Sequence, residues 1–116
     1  GEALDTLKKE NLLVLGSGFS FHNMQAIMSK TDAAIEPRNQ AFEDWLSETC
    51  CATTLSAAER EQRLVNWQQA PYARYVHPRE EHLLPLQVCY GMGRSAARRV
   101  FQEPVAGFLA SAYEWR

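Results

Sequence analysis

The run Leu12-Leu13-Val14-Leu15, closed by Gly16-Ser17-Gly18, constrains this chain more than any other feature. Four consecutive apolar residues leave an element no polar side, so whatever they form is covered on both faces. Bounded by glycine, the run predicts a strand buried between layers, the core strand of an α/β protein. Glycines just beyond such a strand let the backbone turn sharply and leave amides open at the carboxyl edge of the sheet, where ligands prefer to bind. By sequence logic alone the same residues also read as a tight turn with a capping serine. Two sharper motifs fail here. The third glycine of a dinucleotide-binding G-x-G-x-x-G is replaced by Phe21, and the last glycine of a G-x-S-x-G hydrolase elbow by His22.

Around that run the pattern is mainly helical. Leu4 and Leu7 among charged residues predict a short amphipathic helix over 2–10, and Met24, Ile27 and Met28 a second one from His22 to Lys30. A third starts at Pro37 and carries Ala41, Phe42, Trp45 and Leu46 on one face, with the aromatic residues in the core. Ser56-Ala57-Ala58-Glu59 is a capping box that launches a helix through Leu64, Val65 and Trp67. Residues 70–76 read as an extended connection. Pro78 fits the first position of a further helix, with Glu80 and Glu81 near its positive end, running through Leu83, Leu84, Leu86, Val88 and Tyr90 to Gly91 or Gly93. The tail, 97–101 and 106–115, predicts one or two strands. Helix, strand, several helices and strand again make an α/β layer fold.

Composition narrows the class further. The 116 residues are 46% hydrophobic and 22% charged, enough for one core and one domain. A net charge of -2 with interspersed signs provides no electrostatic footprint for nucleic acid or an acidic membrane surface. No apolar run approaches the roughly 20 residues needed to span a bilayer. The chain opens Gly1-Glu2, with no initiator Met and no signal-peptide pattern, which suits a processed end or the edge of a fragment. Three cysteines, two of them the adjacent Cys50 and Cys51, favour a reducing compartment, hence the cytoplasm, over a disulfide scaffold.

All three histidines lie in two junctions, 16–23 and 77–86. Imidazole at an element terminus can project into a shared cleft as a metal ligand or a proton carrier. The second junction is not the zinc-protease H-E-x-x-H. His77 and His82 are five apart and would diverge by roughly 140° on a continuous helix. Pro78 also pushes His77 out of the α region, so His77 is expected in a loop and His82 about one turn inside the following helix, kinked by Pro85. The plainer alternatives are a satisfied core histidine for His82 and ordinary first-turn acids for Glu80 and Glu81.

Gly-Ser-Gly-x-Ser-x-His-Asn after an apolar strand is followed by a helix with Phe42, Glu43 and Trp45. Then come Ala70-Pro71-x-Ala73 and His-Pro-x-x-Glu-His-x-x-Pro-Leu. In order and spacing, from about Leu12 to the end, this resembles the class III extradiol ring-cleavage dioxygenases of the LigB superfamily, in their DOPA-type branch. The resemblance is to the carboxyl-terminal part of such an enzyme. It implies that residues 1–116 are the carboxyl-terminal portion of a single catalytic domain, part of a three-layer α/β/α fold with a central sheet, the amino-terminal portion being absent. The implied reaction opens the aromatic ring of a catechol with O₂ at one divalent metal, Fe²⁺ or Zn²⁺. His22 then matches the acid–base histidine, and His82 falls at a metal-ligand position where relatives usually place a carboxylate. His22 is a possible second ligand, and Ser20, Asn23 and His77 are expected to contact substrate. The fragment alone is expected to be inactive. A zinc-dependent hydrolase, or a non-catalytic binding module sharing the half-fold, are the alternatives.

Overall fold

A computed structural model describes residues 1–30 and 34–116. A 3₁₀ turn over Glu2–Lys9 leads into α1 (Met24–Ser29), α2 (Pro37–Cys51) and α3 (Ala57–Val65). A second 3₁₀ turn, Trp67–Gln69, precedes α4 (Ala73–Val76) and α5 (Leu84–Gly93), and the chain closes with β1 (Arg98–Val105) and β2 (Phe108–Glu114). Helices against a two-stranded antiparallel sheet are consistent with part of an α/β fold. Among the described residues no helix is long and apolar enough to cross a membrane.

Local chemistry accounts for most boundaries. Pro37 sits in the first turn of α2, where its missing N–H is not needed, and the Glu36 carboxylate accepts from Asn39 N at 3.0 Å. The Ser56–Glu59 capping box forms as the sequence predicts and starts α3. That helix stops at Val65, leaving Trp67 in the 3₁₀ turn that follows. The strands of the tail pair from Arg98↔Glu114 to Val105↔Phe108. Their two-residue turn, Ala106-Gly107, has φ of 52° and 81°, the double left-handed geometry that matches the twist of a hairpin.

The core gathers Phe21, Phe42, Leu46, Leu64, Trp67, Val76, Leu83 and Phe108. Phe21 stacks on Phe108 with centroids 3.9 Å apart, pinning the first junction to β2. Buried Asn39 on α2 donates to Leu109 O at 3.0 Å and accepts from Leu109 N at 2.7 Å. One side-chain amide thus takes the place of a neighbouring strand at that point of β2.

Three expectations are corrected. The 12–15 run has no regular structure and belongs to no ladder, and its residues are 58, 84, 39 and 81% exposed in order. A strand requires a hydrogen-bonding partner, and Leu12 N finds only the local Glu10 O at 2.9 Å. Residues 73–76 form the single turn α4, entered through Tyr72 at φ 55°, rather than an extended connection. The last major helix begins at Leu84, not Pro78, with 78–83 as bends and turns. Of the two prolines, the first helical turn can take one without loss, whereas Pro85 inside a helix begun at Pro78 would cost about 3 kcal/mol. Pro85 therefore starts the helix instead of kinking it, and His82 lies in the turn before it.

Candidate functional site

The two histidine junctions pack against each other. A Cβ on Gly18 would stand 2.2 Å from the His82 carbonyl oxygen, and one on Gly16 would lie 2.7 Å from Cys89 Sγ and 2.8 Å from Pro85 O. The glycines are therefore needed for close backbone approach between the junctions. The approach brings His22 and His82 face to face, centroids 3.5 Å apart and planes within 10°. Sixty residues separate them in sequence, and both are half-buried.

His22 is held by its neighbours on both sides. Its backbone N–H donates to Val76 O at 3.0 Å. The Asn23 amide donates to Tyr75 O at 2.7 Å, while its carbonyl oxygen caps α1 by accepting from Ala26 N at 3.0 Å. Asn23, expected at the substrate, is thus engaged in structure through both ends of its amide. Buried Ser20 accepts from Ser111 N through Oγ at 2.9 Å. Burial lowers the His22 pKa, and so does the neighbouring His82 ring, while Glu81 pulls the other way. The net effect keeps His22 neutral at neutral pH, in the form that can accept a proton.

His77 is placed differently from expectation. It is fully buried rather than open to substrate, edge-on to Phe42 at 5.4 Å and to Trp67 at 6.0 Å. Its Nε2 lies 2.8 Å from Ser20 O, and its Nδ1 has no partner. Burial pushes its pKa down to about 4, the Ser20 contact opposing.

An open cleft of about 1000 Å³ lies against His82, walled by Leu12–Leu15, Gly16, Gly18, Leu86, Tyr113 and Trp115, with Ser20 also at its lining and His22 outside it. The sequence reading missed two polar groups near this wall. Glu43, fully buried on α2, accepts from Ser111 Oγ at 2.6 Å and leaves its other oxygen unpaired. Burial raises its pKa against the hydrogen bonds from Ser111 and Ser20. Tyr113 has a buried hydroxyl without a partner, and burial pushes that phenol up. The available signal was a carboxylate within the apolar face Phe42-Glu43-Trp45-Leu46.

Can these residues hold a metal? Among the described residues no three His, Cys, Asp or Glu side chains come together. The lone pairs of His22 and His82 lie in two nearly parallel planes and do not converge on one point. The arrangement suits one ligand beside one free imidazole, and on its own it does not complete a divalent-metal site.

No family model matches the chain. It is 35% identical over 101 residues to the 4,5-DOPA dioxygenase extradiol-like protein of Schizosaccharomyces pombe, covering 86% of this chain and 33% of that protein. It is 32% identical over 125 residues to Dioxygenase tasH of Hapsidospora irregularis, covering 99% of this chain and 38% of the relative. The 4,5-DOPA dioxygenase extradiol of Beta vulgaris is 33% identical over 91 residues, 78% of this chain and 32% of its own. These relatives support an extradiol dioxygenase family for the chain. It spans about a third of the length of the curated relatives it matches.

Proposed function

We propose that this chain is the carboxyl-terminal portion of a catalytic domain that opens the ring of a catechol with O₂, and that it supplies the proton carrier and one ligand of a divalent-metal site. The observation that carries this reading is the stacked His22–His82 pair, in which one imidazole can bind while the other stays free. Support also comes from the relatives, whose names specify dioxygenases, one of them a 4,5-DOPA dioxygenase and another like it, DOPA being a catechol. When bound, Fe²⁺ or Zn²⁺ with open positions would bring both substrate oxygens together at one centre. The ligands beyond His82 would come from outside these 116 residues.

In this reading His82 is the ligand and His22 the general base. The lowered pKa of His22 leaves an imidazole nitrogen free to take a proton from a catechol hydroxyl and return it to the ring-opened product. Ser20 and His82 face the cleft that admits the substrate. Three free thiols suit the cytoplasm.

In the longer protein, His22→Ala should keep its metal after extensive dialysis and lose ring opening, followed by absorbance of the product. His82→Ala should lose the metal. An empty His22→Ala and a loaded His82→Ala would reverse the roles, and a metal-replete parent that leaves catechols intact would overturn the reaction.

A further inference from the structure

We infer that His77 is a positioning residue, a buried clamp that sets the spacing of the two site imidazoles. A carbonyl oxygen can only accept, so the 2.8 Å contact between His77 Nε2 and Ser20 O requires the proton on Nε2, with Nδ1 the unpaired nitrogen. That bond ties down the residue two positions before His22. The same stretch is tied again at His22 N to Val76 O and at Asn23 Nδ2 to Tyr75 O, so residues 20–23 run along 75–77 with three cross-links. On the other side, His77 is joined to His82 by only the four residues 78–81, which fold into bends and turns. A single ring therefore stands between the two junctions, bonded to one and covalently leashed to the other.

The ring cannot drift. Phe42 and Trp67 meet it edge-on from α2 and from the 3₁₀ turn, and the backbone N–H of His77 donates to Ala73 O at 2.8 Å. Ser20 is held from its far side as well, through Oγ to Ser111 N of β2. A rigid donor acting on a fixed carbonyl transmits the position of the core to His22. It does so without touching substrate, since the ring is fully buried and lies away from the cleft. The consequence for turnover rests on the proposed function above; the consequence for geometry does not.

The test uses three measurements. In the 116-residue chain at neutral pH, long-range ¹⁵N–¹H correlation should show His77 protonated on Nε2; an Nδ1–H tautomer would overturn the clamp whatever any variant does. Cross-relaxation between the His22 and His82 rings should be present in the parent and in His77→Gln, whose amide nitrogen can reach the same carbonyl. It should disappear in His77→Phe while the variant stays folded, with the far-ultraviolet circular dichroism and the cooperative urea transition of the parent. Ring contacts that persist in a folded His77→Phe would sink the inference. Should His77→Phe not fold, the tautomer and the His77→Gln contacts decide. In the longer protein, His77→Phe should lower kcat about 100-fold with little change in KM, since a displacement of about 1 Å has that effect, and His77→Gln should restore most of it. Intact ring contacts in the 116-residue chain together with no ring opening by the metal-replete longer protein would refute the proposed function and leave the clamp standing.

Discussion

Lowering the pH should destabilise this chain through His77 before its carboxylates matter. The ring is fully buried among Phe42, Trp67 and Val76, and its pKa falls from an ordinary 6.5 to about 4. The unfolded chain, with the ordinary value, binds more protons than the folded one between these two values. Stability is therefore complete above about pH 6.5 and is lost as the pH falls through the window toward 4. A displacement of this size corresponds to roughly 3 kcal/mol, of which about 2 is already lost near pH 5. Urea titrations at a series of pH values read this directly, as a fall of about 1 M in midpoint between neutrality and pH 5 at typical slopes. His22 adds a loss of the same sign, and the acids at Glu59, Glu80 and Glu114, whose pKa values are lowered by their partners, add theirs below the ordinary carboxylate range. His77→Gln cannot titrate, so the difference between parent and variant isolates His77. Equal acid sensitivity in the two proteins would refute the buried, neutral imidazole.

Asn39→Ala should destabilise the chain by about 2–4 kcal/mol in the same titration, because it strips both partners from the buried Leu109 backbone. A loss below about 1 kcal/mol would mean that water or another group replaces them. Ser56→Ala should cost about 1 kcal/mol by removing the capping box, with Glu59→Gln costing less because its amide oxygen can still accept from Ser56 N.

Legibility in the sequence followed the range of the interaction. The start of α2 at Pro37, the Ser56 capping box and the paired strands of the tail are dictated within a few residues, and each appears as its residues prescribe. The meeting of His22 with His82 was also readable. Glycines after the apolar run, and a proline-flanked histidine at the second junction, mark two chain reversals whose ends can share a cleft. What failed needed knowledge of competing local choices. Pro78 and Pro85 each make a good helix start, and the choice depends on the full cost of the other proline inside the helix. His77 was expected at the substrate through the family resemblance, from a loop position before Pro78; that Phe42 and Trp67 close over it depends on contacts across 10 to 35 residues, which no spacing rule reports. Glu43 was hidden by its apolar neighbours, and its partner Ser111 lies 68 positions away.

The 12–15 run shows the same limit from the other side. Its preference for burial is a property of the residues, worth about 1.5–3 kcal/mol for each leucine removed from water. Its becoming a strand is a property of a neighbour, and among the described residues no neighbouring strand pairs with it. These side chains do not face empty solvent at random: Leu12, Leu13, Val14 and Leu15 form one wall of the cleft whose lining includes Ser20 and His82. Whatever covers the run therefore also changes the surroundings of His82. Excluding water there would lower the local dielectric, which strengthens every polar contact His82 makes. The apolar segment that lacks a strand partner and the His82 imidazole border the same space, so covering the one alters the surroundings of the other.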